Sequence, residues 1–259
     1  MLVKFYKYQG TGNDFVMVDN LSGEYDELSI EQIKFICDRK FGVGADGLIK
    51  INRSENAAFE VDYYNSDGSK SFCGNGARCA VAFADFLGVN VDNVQFYAFD
   101  GVHDAAFNQL EVRLDMTDVN SVKLIGEDFE IYTGSPHYIR FVDDLNNNNI
   151  IDFGKSIRYN DIYNLEGINV NLAQIIHENK LEVLTYERGV EDETLSCGTG
   201  VTAVVLAYAF EKGLSDGEVS VKVKGGDLKV AFSQVEKGVF RNVQLIGPTK
   251  YVFKGEIDV

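Results

Sequence analysis

The amino-acid sequence predicts an α+β protein of two pseudo-symmetric domains, each a largely antiparallel sheet wrapped around a central buried helix. Three observations point there. Strand-like runs with period-two apolar alternation dominate the chain, separated by Asn, Asp, Gly and Ser turns rather than by regular helical crossovers. Two distant segments, "SFCGNGARC" at 71–79 and "LSCGTGVTA" at 195–203, repeat one phrase: a cysteine, a glycine-rich step and an apolar run. The helices those phrases open are apolar nearly all round, as core helices are.

In chain order, "VKFYKYQG" and "DFVMVDN" read as paired strands, and Ser29 with Gln32 forms a capping box that starts a helix over 30–39. "FEVDYYNSDGSKSF" is a strand running into a turn, and the helix after Cys73 ends at Gly88, leaving Arg78 and Asp85 as its polar surface. "VQFYAFDGVHDAAF" and "LEVRLDM" are hairpin material. Residues 118–127 and the tract Asn146–Asn149 read as loops. The helix after Cys197 runs through Val201–Phe210 and stops at Gly213. "EVSVKVKGGDLKVAFS" is a hairpin with Val219, Val221 and Val223 facing Leu228, Val230 and Phe232 about a Gly225-Gly226 turn. Superposing Cys73 on Cys197 also superposes Gly74 on Gly198, Gly76 on Gly200, Val81 on Val205 and Phe86 on Phe210. The domains are expected at 1–117 and 118–248.

With 259 residues and 45% hydrophobic side chains, the chain can fill real cores. A net charge of −16 leaves no basic stripe for phosphates, which argues against a nucleic acid or an anionic membrane surface as partner. No signal sequence or bilayer-length apolar run is evident, so the expected compartment is the cytoplasm. Four cysteines without a CxxC pair and three scattered histidines give little support to a metal site, and none is expected. Cys37 and Cys79 fall within apolar helical patterns and read as small buried hydrophobes.

Cys73 and Cys197 differ, because each heads a helix. Unsatisfied N–H donors and the positive end of the macrodipole favour an anion there, whether a thiolate or a bound carboxylate. One such cysteine admits a nucleophile, a redox thiol or no role. Two, one per repeat, suggest a symmetric task such as inversion of a stereocentre, in which one thiolate removes an α-proton and a thiol protonates the other face. Carboxylate charge developing in that reaction would be held by the helix heads, with no cofactor.

"GTGNDF" at 10–15, "YNSDGSKSFCGNGARC" at 64–79, "GSPH" at 134–137, "GINVN" at 167–171 and "YERGVEDETLSCGTG" at 186–200 together resemble the ordered motif set of the diaminopimelate epimerase family. The resemblance implies the diaminopimelate epimerase-like fold, with a final strand at 249–259 completing the first domain. It also implies cofactor-independent interconversion of LL- and meso-diaminopimelate in lysine biosynthesis, and a possible homodimer. Carried over by motif, Cys73 and Cys197 match the catalytic pair, and Gly74, Asn75, Gly198 and Thr199 the carboxylate-binding helix heads. Asn13, Asn65, Asn169, Glu187 and Arg188 match substrate-binding positions, and His137, with Ser135 before it, the motif histidine. Without the resemblance, Asn13 and Asn65 read as turn residues, His137 as a loop histidine and Glu187-Arg188 as a solvated pair.

Three positions depart from the family pattern. Ser135 stands where many members have asparagine, Gly47 where some have a glutamine contact, and the 189–196 loop is one residue longer than the commonest spacing. They bear on recognition of the substrate's distal end. The alternatives are a proline- or hydroxyproline-type racemase of the same fold, a non-catalytic amino-acid-binding protein, and a thiol redox protein cycling through a Cys73–Cys197 disulfide.

Overall fold

The computed structural model describes residues 1–259, and the chain divides into two compact units, 1–114 with 247–259, and 115–246. In the first, β1 (Leu2–Gly10) and β2 (Asn13–Asn20) are antiparallel, and α1 (Ile30–Cys37) leads to β3 (Gly47–Asn52), parallel to β2. β4 (Phe59–Asn65) is antiparallel to β3. Then α2 (Gly74–Phe86) leads to β5 (Val94–Ala98), parallel to β4, followed by the antiparallel β6 (Gly101–Phe107) and β7 (Glu111–Asp115).

The second unit opens with β8 (Lys123–Ile125), β9 (Asp128–Tyr132) and β10 (Pro136–Phe141), successively antiparallel. Helix α3 (Ile150–Arg158) leads to β11 (Asn169–His177), parallel to β10, and β12 (Lys180–Glu187) is antiparallel to β11 and to the short β13 (Asp192–Thr194). Then α4 (Gly198–Lys212) leads to β14 (Asp216–Val223), parallel to β12, with β15 (Gly226–Glu236) and β16 (Val239–Pro248) antiparallel beyond it. The last strand, β17 (Lys250–Asp258), is antiparallel to β1.

The two units thus share one plan. β17-β1-β2-β3-β4-β5-β6-β7 and β8-β9-β10-β11-β12-β14-β15-β16 both run antiparallel, antiparallel, parallel, antiparallel, parallel, antiparallel, antiparallel. In both, a helix enters at each parallel crossover, as parallel pairing requires. The α+β class and the two buried helices agree with the sequence reading.

The central helices are buried because their sequences offer no polar face: α2 buries every residue from Gly74 to Ala84, and α4 every residue from Gly200 to Ala209. They end as their glycines dictate, with Gly88 at φ 89° and Gly213 at φ 67°. Valines of β14, leucines of β12 and β15, and Phe129, Phe232 and Phe240 pack around α4. α1 covers the other face of the first sheet through Ile33, Ile36 and Cys37 against Val16, Val18 and Leu48. α3 does the same in the second, with Ile150 beside Val170, Leu172 and Tyr186.

Several details correct the sequence reading. The 30–39 helix stops at Cys37, although both bonds of the Ser29–Gln32 box form, at 2.9 and 3.3 Å. Within 118–127, residues 123–125 form a strand because β9 offers an antiparallel edge. The asparagine tract begins a helix: Leu145–Asn147 is a 3-10 turn, and Asn149 caps α3 by accepting from the Ile151 and Asp152 N–H groups. The β14–β15 turn is Lys224-Gly225, with Val223 opposite Gly226 and Phe232 opposite Gly217. Gly225 N–H is fixed by the Leu195 carbonyl at 2.8 Å. Arg78 is not polar surface but fully buried.

Candidate active site

Each unit presents one cysteine as the N-cap of its central helix. Cys73 has extended backbone (φ −135°, ψ 114°), and its sulfur accepts from the Gly76 N–H at 3.5 Å. Cys197 is similar (φ −123°, ψ 107°) and 8% exposed. Neither first turn carries an acidic side chain, so nothing there offsets the positive helix end. Cys37 and Cys79 are buried within the first unit, and desolvation pushes both thiols up to about 12, as inert core cysteines.

In the first unit, Asn13 sits at the start of β2 with its amide nitrogen on the Asp46 carboxylate. A carboxylate only accepts, so the amide oxygen must face the other way. There it lies 3.4 Å from Cys73 Sγ and 3.4 Å from Asn75 Nδ2. Asp46, held with Asp14 by Arg39 at 2.7 Å, is the orienting group that sequence reasoning missed. Asn65 stands apart from this cluster. Its amide donates to the Ser69 carbonyl and hydroxyl and to the Ser71 hydroxyl at 3.0–3.1 Å, tying the turn before Cys73. Gly47 faces Tyr63, whose ring lies 2.4 Å from where a Cβ would stand, so no longer side chain fits without a shift.

Behind Cys73, Arg78 is 0% exposed. Its Nη1 lies 3.4 Å from the Gly74 carbonyl, its Nη2 lies 3.3 Å from the Thr11 hydroxyl, and its Nε has no hydrogen-bond partner. Burial pulls its proton affinity down, and the ionisable groups that act on it are the thiols Cys79 and Cys73. Arginine nonetheless keeps its charge in proteins, so a cation stands behind the α2 head. The corresponding residue of α4 is Thr202, buried with its hydroxyl on the Gly198 carbonyl at 2.9 Å.

In the second unit the cluster is larger. Cys197 Sγ is 3.5 Å from Thr199 Oγ1, which is 2.9 Å from His137 Nε2 and 3.1 Å from Ser135 Oγ. Ser135 Oγ is itself 2.9 Å from His137 Nε2. Asn169 donates to Ser135 Oγ at 3.2 Å and to the Pro136 carbonyl at 3.1 Å, and its oxygen accepts the Arg188 N–H at 2.9 Å. His137 is fully buried on β10. Desolvation, with a smaller part from the Arg188 charge, pushes its pKa down to about 3, so the ring is neutral.

Arg188 itself is exposed, with its guanidinium on the Glu166 carbonyl at 2.9 Å, and Glu187 ends β12 opposite Asp192. The 189–196 loop is pinned by Glu191, which accepts from Gly189 N–H, Arg158 Nε and the Tyr159 and Tyr186 hydroxyls at 2.9–3.2 Å. Glu191 and Asn171 escaped sequence reasoning. For Asn171 a signal existed: it follows Asn169 by two along a strand and so faces the same side.

His137, Ser135, Asn169, Thr199 and Cys197 therefore converge in one unit, and Asn13, Asn75 and Cys73 in the other. In each, the residue two after the cysteine bonds to a side chain from a strand of the sheet. These clusters offer a helix-head anion site, a thiol and fixed amides, which suit proton transfer beside a carboxylate.

Comparison with known proteins places the chain in a family. A diaminopimelate epimerase family model matches residues 5–122 and 129–251. The chain is 42% identical over 257 residues to a diaminopimelate epimerase of Flavobacterium psychrophilum, covering 98% of this chain and 100% of that one. It is 38% identical over 259 residues to the diaminopimelate epimerase of Chlorobaculum tepidum, with 96% and 98% covered. Among solved structures, a Bacillus anthracis phenazine biosynthesis protein of the PhzF family superposes with TM-score 0.78 at 16% identity, covering 100% of both chains. A hydroxyproline epimerase from Agrobacterium vitis does so with TM-score 0.67 at 12% identity, covering 99% and 91%. These structural likenesses describe the fold alone. The family match along nearly the whole chain and the close relatives in sequence show that this protein belongs to the diaminopimelate epimerase family.

Proposed function

We propose that the protein interconverts LL-2,6-diaminopimelate and meso-diaminopimelate without a cofactor, supplying lysine biosynthesis, with Cys73 and Cys197 as the acid/base pair. The observation that carries this reading is the repeated cysteine N-cap: one thiol per unit, each at the positive end of a buried, glycine-led helix. Epimerisation needs a thiolate to take the α-proton from one face and a thiol to return a proton to the other. The proton count balances, because each turnover moves one proton onto one sulfur and one off the other. Backbone N–H groups of Gly74-Asn75 and Gly198-Thr199 stabilise the carboxylate as charge develops.

The distal end of diaminopimelate is a second amino acid, which asks for an anion partner and an ammonium partner. Arg188 can take the carboxylate in a bidentate fork and Glu187 the ammonium. To do so, the Arg188 guanidinium exchanges its Glu166 carbonyl contact for substrate. Asn13 and Asn169, whose amides are oriented by Asp46 and by the Arg188 backbone, supply fixed polar contacts. Asn65 serves by shaping the turn into Cys73, and Ser135 and His137 by supporting Thr199.

The test is deuterium wash-in. Incubation with LL-diaminopimelate in deuterated water should label one α-carbon, and Cys73→Ser and Cys197→Ser should each slow epimerisation by about 10²–10⁴-fold. Binding without exchange would point to a non-catalytic amino-acid-binding protein. Exchange on proline but not on diaminopimelate would point to a racemase of the other kind.

A further inference from the structure

We infer that Asn171 is a positioning residue: it fixes His137 as an Nε2–H hydrogen-bond donor, so that the Thr199 hydroxyl directs its own proton to the Cys197 sulfur and stabilises the thiolate. The inference rests on the reading of Cys197 as one of the two acid/base groups.

The direction of each bond follows from groups that only accept or only donate. Asn171 is fully buried and its Nδ2 lies 3.1 Å from the Tyr138 carbonyl, an obligate acceptor, so that end of the amide is the nitrogen. The same nitrogen is 3.2 Å from His137 Nδ1, while its oxygen accepts from the buried Thr185 hydroxyl at 2.9 Å. Nδ1 is therefore an acceptor, and in a neutral ring the proton sits on Nε2. That N–H faces the hydroxyls of Thr199 and Ser135, both at 2.9 Å.

A second line of donors runs the same way. Asn169 is oriented by the Pro136 carbonyl at one end and the Arg188 N–H at the other, so its nitrogen donates to Ser135 Oγ, whose proton is free to go to Thr199. Thr199 thus receives from His137 and Ser135 and has its own proton left for Cys197 Sγ at 3.5 Å. Such one-way donation lowers the energy of the anionic form of the sulfur. Packing holds the arrangement: a Cβ on Gly200 would stand 2.6 Å from Asn171 Oδ1 and 3.3 Å from the His137 ring. The charged groups nearby in sequence and sheet are Arg188, whose charge acts on His137, Glu187, and Glu193 paired with Lys224.

The experiment has two arms. Nitrogen-15 NMR of the intact protein reads the His137 tautomer directly, and the expected signature is a protonated Nε2 and a bare Nδ1 unchanged from pH 8 to pH 5. A protonated Nδ1 overturns the inference whatever the protein catalyses. In the second arm, the pH dependence of Cys197 alkylation is followed in a Cys73→Ser background. Thr199→Val should slow alkylation at pH 7 by roughly tenfold, as expected for losing one hydrogen bond to a charged acceptor, and Thr199→Ser should restore it. Asn171→Leu should slow it in the same direction, and the double variant Asn171→Leu/Thr199→Val no further than Thr199→Val alone. Additive losses, or an unmoved titration in Thr199→Val, refute the relay; should Asn171→Leu fail to fold, the tautomer and the Thr199 variants still decide. Neither arm measures epimerisation, so a negative deuterium experiment and a negative relay experiment remain distinct results.

Discussion

Arg78 reaches one turn back along α2 to the Gly74 carbonyl at 3.4 Å, and Thr202 makes the same contact with Gly198 along α4 at 2.9 Å. The repeat is kept in geometry and broken in charge. A buried guanidinium lacking a carboxylate partner costs stability, whereas a hydroxyl on the same carbonyl costs little. Replacing Arg78 by methionine, which fills similar volume, should leave stability unchanged or raise it by about 1–2 kcal/mol, read as the urea midpoint. The same variant should slow alkylation of Cys73 and leave that of Cys197 alone. A drop of more than about 2 kcal/mol would show instead that the contacts to Thr11 and Gly74 outweigh the desolvation.

The two third-position glycines should respond differently to alanine. A helical glycine-to-alanine change gains about 1 kcal/mol in helix propensity. At Gly76 the new methyl meets Ile49, Phe15 and Cys73 carbons at 3.2–3.5 Å, so gain and crowding nearly cancel. At Gly200 it meets Asn171 Oδ1 at 2.6 Å, and overpacking by about 1–3 kcal/mol wins. Thermal denaturation should rank Gly76→Ala above Gly200→Ala, and an inverted ranking would contradict the contact.

His137 also sets an acid limit on stability. Its folded pKa, pushed down to about 3 by burial and by Arg188, lies below the ordinary value of about 6.5. Below pH 6.5 the unfolded chain therefore takes up a proton that the native state refuses, and stability falls as pH drops towards 3. Asp14 adds to this lower down. Although burial opposes it, hydrogen bonds from Arg39 and Lys7 hold its carboxyl at about 2, so its contribution is lost between about 3.8 and 2. Urea midpoints at pH 7.5, 6 and 4.5 should decline in the natural protein and decline less in His137→Gln. Parallel slopes would exclude the histidine as the source.

Glu191 gives a test of the distal end. Its carboxylate gathers Arg158, Tyr159, Tyr186 and the Gly189 N–H around the loop that follows Arg188. Glu191→Ala should raise KM for diaminopimelate by about tenfold, the worth of one charge-assisted hydrogen bond, with a smaller change in kcat. An unchanged KM would separate this loop from substrate recognition.

What the sequence disclosed was whatever is local. The Ser29–Gln32 box, the glycine stops at 88 and 213 and the largely apolar runs of α2 and α4 depend on neighbours within a turn or two, and each was readable, the burial of Arg78 excepted. What it concealed depends on partners far along the chain. Asn149 reads as one of four loop asparagines until its side chain is seen capping α3, and the turn at Lys224-Gly225 follows a register that the Leu195 carbonyl, far back in the chain, helps to hold through the Gly225 N–H. The same holds in the site. A cysteine before a glycine-led helix is visible as text, whereas Asp46 turning Asn13, or Asn171 turning His137, arises only when strands distant in sequence are paired.

The pairing of β17 with β1 bears on how the protein is made. Residues 115–246 leave the ribosome as an uninterrupted set, whereas the opening strand waits, one edge bare, for residues 250–258. Although translation usually favours whatever is encoded first, here the later half can mature earlier. The earlier half keeps that edge open to stray β-partners until residues 250–258 emerge and pair with it.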